Sequence, residues 1–141
     1  MFATLSPANK DLFETFLKLN LPKGKYVIFG SGGLLIRNLK EGHDLDIIVT
    51  PDIYEEYRTK EGWKLKPCNG DFYLSKDGME LWENWKPGVW NVDELIAQAE
   101  YIEGLAFVPL QKIAEWKRLS GREKDLEHAK IIDEYLAASH T

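Results

Sequence analysis

Tyr26-Val27-Ile28-Phe29-Gly30-Ser31-Gly32-Gly33, followed after a short linker by His43-Asp44-Leu45-Asp46-Ile47-Ile48-Val49, is the stretch whose reading decides the fold. Lys25 to Phe29 is an apolar, β-branched and aromatic run that ends in glycines, the pattern of a buried strand entering a tight turn. Asp44 to Thr50 reads as a second strand. A glycine-rich turn after a strand offers backbone N–H groups to phosphate oxygens. Alternation along Asp44-Leu45-Asp46-Ile47 places both aspartates on one face, with Leu45 and Ile47 on the other to anchor in a core. Two carboxylates so close repel, and a divalent cation that offsets the repulsion makes both good ligands. Alone, the acid pair would serve equally well to keep a strand edge from aggregating. Beside the glycine turn it predicts more: if the linker returns the chain antiparallel, phosphate donors and metal ligands meet at one sheet edge.

Working outward, Ser6-Pro7 reads as an N-cap with proline at the first helical position, and Leu12, Phe13, Phe16 and Leu17 keep helical period until Asn20 and Pro22. Leu34, Leu35, Ile36 and Leu39 predict a helix after the glycine turn, ended by Glu41-Gly42. Pro51-Asp52 opens another, from Ile53 to about Lys60, stopped by Gly62. Trp63 to Lys66, Asp71 to Ser75 and Met79 to Trp82 read as strands, with Asp77-Gly78 as a hairpin turn. Asn91 starts a short helix, and Tyr101 to Val108 holds one or two extended pieces around Gly104. Pro109 begins a helix with Leu110, Ile113, Ala114 and Leu119 as its apolar positions, and Ser120-Gly121 separates it from a last helix over Arg122 to Ala138. The fold class is therefore α+β (mixed α/β): a small mixed sheet with packed helices and two closing C-terminal helices.

The 141 residues, 44% hydrophobic and 29% charged, suit one soluble domain with a real core, about 1–108 for the sheet region and 109–141 for the closing helices. A net charge of -5 argues against a broad nucleic-acid surface, which needs basic residues to displace counterions. No apolar run is long enough to span a bilayer and the N-terminal residues lack signal-peptide character, so a cytoplasmic protein is expected. The lone Cys68 excludes an internal disulfide, and His43, His128 and His140 assemble no zinc-site spacing. Mg²⁺ suits two aspartates without histidine support, with Mn²⁺ as the alternative. Most of Trp63, Trp82, Trp85, Trp90 and Trp116 are expected in the core, with an exposed subset free to stack on a base or a flat acceptor. His128 is expected at solvent or beside an acid, and Arg37 and Lys40, on the helix after the glycine turn, as weaker phosphate candidates that read more readily as surface charges.

Rival glycine motifs fail on the same residues. A dinucleotide-binding fingerprint needs glycine where Leu35 stands, a Walker loop needs Gly-Lys-Ser/Thr, and a nucleophile elbow on Ser31 needs glycine in place of Phe29. What remains, Gly30-Ser31 closing one strand and Asp44-Leu45-Asp46 inside the next, resembles the signature of the nucleotidyltransferase superfamily, the fold shared with DNA polymerase beta. Lys117 with Ser120-Gly121-Arg122-Glu123-Lys124-Asp125 is similar to the lysine, glycine-arginine and lysine-aspartate pattern in the C-terminal helices of its small bacterial members. The likeness frames the chain from about residue 20 to 136.

The resemblance implies metal-dependent transfer of a nucleoside monophosphate from a nucleoside triphosphate, ATP among the candidates, to an acceptor hydroxyl on an antibiotic, protein, tRNA or metabolite. It implies Asp44 and Asp46 as metal ligands and a third carboxylate on a neighbouring strand, for which Glu80 in Met79-Glu80-Leu81-Trp82 has the right form, with Glu83 and Asp71 as rivals. Gly30 and Ser31 would hold the β and γ phosphates, with Lys117, Arg122 and Lys124 neutralising them. The alternative expectation is an inactive nucleotide-binding or toxin-antitoxin-type regulatory protein of the same fold.

Overall fold

The computed structural model describes residues 2–88 and 90–139; His140, counted among the histidines above, lies outside them. Helix α1 (Pro7–Leu19) starts where the sequence marks it: the Ser6 hydroxyl accepts from the Asn9 N–H, Pro7 takes the first position, and Asn20 ends the helix in the left-handed region. Strand β1 (Tyr26–Phe29) follows, then α2 (Gly32–Ile36), β2 (Leu45–Val49), α3 (Pro51–Arg58), β3 (Lys64–Cys68), β4 (Asp71–Lys76) and β5 (Met79–Trp82). The chain continues through α4 (Val92–Ala97), β6 (Glu100–Ile102), β7 (Leu105–Phe107), α5 (Leu110–Ser120) and α6 (Glu123–Ser139).

The strands form one mixed sheet in the order β3-β4-β5-β2-β1-β7-β6. β2 is central, antiparallel to β1 and parallel to β5. Its Leu45, Ile47, Ile48 and Val49 are buried, as expected of a strand covered on both faces. The turns at Asn69-Gly70, Asp77-Gly78 and Glu103-Gly104 each hold two residues at positive φ, the backbone twist that two-residue hairpins favour.

The two sheet faces bury different things. Phe13 and Phe16 of α1 pack against Phe107 and Tyr26, placing α1 over the face that carries Tyr26 and Ile28. On the opposite face Phe29 meets Trp82, Trp85 and Trp116 edge-on, so α5 and the loop after β5 close that side. α6 is tied to α5 by the Arg118–Asp133 ion pair. Among the described residues no helix is long and apolar enough to cross a membrane.

Two sequence expectations are corrected. The helix after the glycine turn ends at Ile36 rather than running to Leu39, because Asn38 turns left-handed (φ 56) and the Leu39 N–H closes back on the Leu34 carbonyl at 2.9 Å. Leu119 is not on the buried side of α5 but 56% exposed. The apolar face runs through Leu110, Ile113 and Ala114, and its next turn is Lys117, a position that a search for apolar periodicity passes over because the side chain is charged.

Candidate functional site

Antiparallel register sets Phe29 opposite Asp46, and parallel register sets Asp46 beside Glu80 and Ile48 beside Trp82. Side chains of paired residues share a face, so Phe29, Asp46, Glu80 and Trp82 form one surface at the carboxyl end of β1. The Asp46 and Glu80 carboxyls are joined by a hydrogen bond. Burial, then that bond, then the charges of Asp46 and Asp44 push Glu80 up to about 8. Burial also raises Asp46; the Glu80 bond and the Trp82 indole act against it, and Asp44 adds to it. The indole leans on Asp46 without a full hydrogen bond, since Trp82 Nε1 has no partner of good geometry. Asp44, the residue before β2, is exposed and acts on the pair through charge.

Glu80 is thus the acid in contact with Asp46. Glu83 is exposed and feels Glu55 and Asp71 instead, while Asp71 pairs with Lys86 at 3.7 Å. Among the described residues no group of three or more His, Cys, Asp or Glu side chains comes together as a ready metal cage. The all-oxygen donor set nonetheless fits a hard cation, because two hydrogen-bonded acids held above their ordinary range are what a divalent ion would relax.

Gly30 is required by two constraints at once. Its φ is +64, and a Cβ there would lie 2.6 Å from Asp46 Oδ2. Gly32, which opens α2, would put a Cβ 2.3 Å from Ile28 Cγ2, so its bare backbone lets the helix pack close on β1. Between them the Ser31 hydroxyl accepts from Lys117 Nζ at 3.3 Å, across 86 residues of chain.

Lys117 is the centre of the basic half. It is 1% exposed, and its ammonium also donates to Asp125 Oδ1 at 3.3 Å and to His128 Nδ1 at 3.0 Å. Burial lowers its pKa most, and Asp125 opposes that. Asp125 in turn accepts from Ser120 Oγ at 2.6 Å and Arg122 Nε at 2.7 Å, and these bonds with Lys117 outweigh its burial and hold it at about 2. His128, at 6% exposure, is held down to about 4 by burial and then by Lys117, Lys40 and Lys124. The neutral ring therefore accepts from Lys117 through Nδ1 and carries its proton on Nε2. Lys124 is exposed and reaches this group only through its charge.

Three expectations change here. His128 is buried rather than at solvent, bonded to the Lys117 ammonium that it shares with a neighbouring acid, Asp125. Arg37 is partly buried, donating to the Gly33 carbonyl at 2.8 Å and to Glu100. Lys40 is also partly buried, its pKa lowered by that burial and by Lys124. Sequence reasoning missed Asn9 altogether. Its fully buried amide donates to the carbonyls of Leu35 and Lys40 and accepts from the Gly42 N–H, fixing the loop that delivers Asp44. A polar residue in the first turn of a helix carries no signal of such a role.

Beyond the two charged groups lies a cavity of about 720 Å³. Asp46 and Glu80 stand in its wall, as do Phe29, Trp82, Trp85 and Trp116, and Ser120 and Arg122 border it. Comparison with protein-family models, curated proteins and solved structures finds no match to this chain.

Proposed function

We propose that this protein is a nucleotidyltransferase-like enzyme that moves a nucleoside monophosphate from a nucleoside triphosphate to an acceptor hydroxyl. The observation that carries the reading is the Asp46–Glu80 carboxyl pair on adjacent parallel strands, set between the Gly30-Ser31 turn and the cavity. Asp44 and Asp46, with Glu80, would hold Mg²⁺ or Mn²⁺, which would supply charge stabilisation for a triphosphate and its leaving group.

The chain's own groups divide the remaining work. Glu80, beside Asp46 on the neighbouring strand, would either complete the metal site or take the proton of the acceptor hydroxyl. The freed oxygen bonds to the α-phosphorus as the bond from that phosphorus to the bridging oxygen breaks, and pyrophosphate carries off the electron pair. α2 is too short to offer much dipole, so the phosphate contacts fall to side chains. Ser31 stands at the turn with the buried Lys117 ammonium holding its hydroxyl, and Arg122, whose Nε binds Asp125, presents its exposed guanidinium beside them. Lys124 adds long-range charge.

A second reading, a nucleotide-binding or regulatory protein without transfer, is favoured by one observation: among the described residues the acids do not assemble a three-ligand group. Pyrophosphate release separates the two. With Mg²⁺, the four nucleoside triphosphates and a panel of hydroxyl acceptors, wild type is expected to release pyrophosphate, while Asp44→Asn and Asp46→Asn lose at least about a hundredfold while folding normally. Unchanged turnover in either variant sinks the enzyme reading. Mg²⁺-dependent nucleotide binding with no pyrophosphate supports the second.

A further inference from the structure

Register carries one face of the sheet from the Gly30-Ser31 turn outward to β4. It joins Phe29 to Asp46, Asp46 to Glu80 and Glu80 to Ser75, so a single row begins beside the turn, crosses the acid pair and ends on β4. Two residues along β4 from Ser75, and therefore on the same face, stands Tyr73. Its ring stacks on Trp82 with centroids 4.5 Å apart and planes 16° from parallel. The stack holds the ring on the flank of the acids that lies away from Ser31 and Lys117.

Tyr73 is half-buried and its hydroxyl is idle. Tyr57 donates to the Leu19 carbonyl and the Tyr26 oxygen accepts from the Ala106 N–H, whereas among the described residues the Tyr73 hydroxyl has no hydrogen-bond partner. Burial and then the charge of Glu80 raise its pKa, and Cys68, Asp44 and Asp46 add to that, so the phenol lies within the field of all three acids. Ser75, beside Glu80, carries a second hydroxyl on this face. Its oxygen stays one bond from Cβ at the sheet surface, while a phenol lifts its oxygen to the height of a group held above the acids.

Phosphoryl transfer needs the attacking oxygen and the leaving group on opposite sides of the phosphorus. The strand order β4-β5-β2-β1 supplies that arrangement: a triphosphate at the Ser31 turn lies to one side of Asp46 and Glu80, and Tyr73 lies to the other. A ring already fixed by stacking loses little freedom on reacting.

Resting on the transferase reading, we propose that the protein nucleotidylylates itself on the Tyr73 hydroxyl. The phenolic proton passes to a carboxylate of the Asp46–Glu80 pair and the phenolic oxygen bonds to the α-phosphorus of the nucleoside triphosphate. The bond from that phosphorus to the bridging oxygen breaks, and its electron pair leaves on pyrophosphate. The product is a tyrosyl phosphodiester on the flank from which an outside acceptor would approach, so a chain that labels itself closes its own acceptor side.

Denaturing mass spectrometry of the whole chain, after incubation with Mg²⁺ and each of the four nucleoside triphosphates and no added acceptor, tests this. Wild type is expected to gain the mass of a nucleoside monophosphate less water, placed on Tyr73 by fragmentation, with release of an equal amount of pyrophosphate. The rate per chain should not change with protein concentration, because the hydroxyl belongs to its own site. Tyr73→Phe keeps the ring and its stack but removes the oxygen, and is expected to lose the label by at least about tenfold, while Ser75→Ala keeps it. If Tyr73→Phe does not fold, the fragment map of wild type decides alone. The proposal is overturned by a label on any other residue, by Tyr73→Phe labelling like wild type, by a rate per chain that climbs with protein concentration, or by an unlabelled chain that releases pyrophosphate only to an added acceptor. That last result leaves the transferase reading standing, whereas neither label nor pyrophosphate with any acceptor sinks both.

Discussion

The two charged halves of the site are built in opposite ways. Around Asp46 and Glu80 like charges are pressed together, and each acid is held above its ordinary range. Around Lys117 each buried group has a partner that suits it: Asp125 is held at about 2 by donors on three sides, and His128 is neutral so that it can accept. The acidic half is left strained by its own composition and the basic half is satisfied. Strain concentrated at one end of a cavity marks where a ligand completes the structure, while satisfaction at the other marks a frame that holds position. Substitutions should therefore have opposite signs in the two halves.

The largest effect is expected at Asp125. Asp125→Asn removes the carboxylate that faces the buried Lys117 ammonium and leaves it with Ser31 and His128, both neutral. Breaking a buried pair by removing one partner costs about 3–5 kcal/mol, read as a fall in the urea midpoint at unchanged slope. Lys117→Met should cost less, about 3 kcal/mol, because Asp125 keeps Ser120 and Arg122. A reversed order would show that Lys117 is neutral in the folded protein.

Gly30→Ala comes next and attacks the junction between the halves. A methyl at φ +64 and 2.6 Å from Asp46 Oδ2 strains the backbone and displaces the acid, an effect of about 2–3 kcal/mol. Mg²⁺-dependent nucleotide binding should fall with it. A variant as stable as wild type would mean the turn relaxes more than its packing suggests.

How far the sequence revealed this site depends on which half is considered. The acidic half was legible because strand period and pairing are local rules: Asp44-Leu45-Asp46 declares its face, and one register brings Glu80 alongside. The element order was legible for the same reason, through Ser6-Pro7, Asp77-Gly78 and Ser120-Gly121, each of which punctuates the chain by its own conformational preference. The basic half was half-legible. A resemblance pointed to Lys117 and Arg122, but the burial of Lys117 comes from α5 turning its charged side chain into the core and α6 presenting Asp125 and His128 to it. Such a contact between helices has no one-dimensional period. Asn9 and the early end of α2 were illegible together, since the amide that fixes the loop lies about thirty residues from it and depends on α1 packing there.

His128 gives a smaller effect with a pH signature. Its folded pKa of about 4 lies below the ordinary 6.5, so between those values the unfolded chain binds the proton and the folded protein does not. Stability then rises with pH across that window, and the loss on acidification is on the order of 1–3 kcal/mol. His128→Gln should flatten the slope of stability against pH between about 6.5 and 4 and leave the steeper loss at lower pH, where Asp125 protonates. An unchanged slope would place the titration elsewhere.

The smallest effect is the one that tests the contrast most directly. Asp46→Asn replaces a crowded carboxylate with a neutral amide of the same shape, which can still pair with Glu80. Relief of repulsion from Asp44 and Glu80 should offset the altered hydrogen bonding, so the variant is expected to be as stable as wild type or about 0.5–1 kcal/mol more stable at pH 8. At pH 5, where Glu80 is protonated in wild type and its repulsion with Asp46 is already relieved, the gain should shrink. Mg²⁺ should raise the Tm of wild type and not of the variant, because binding stabilises only a folded state that keeps its ligands. Thermal melts at the two pH values, with and without Mg²⁺, read all of this at once. A destabilised Asp46→Asn would place the acid pair with Lys117 and Asp125 as part of the frame, and the opposition between the two halves would be lost.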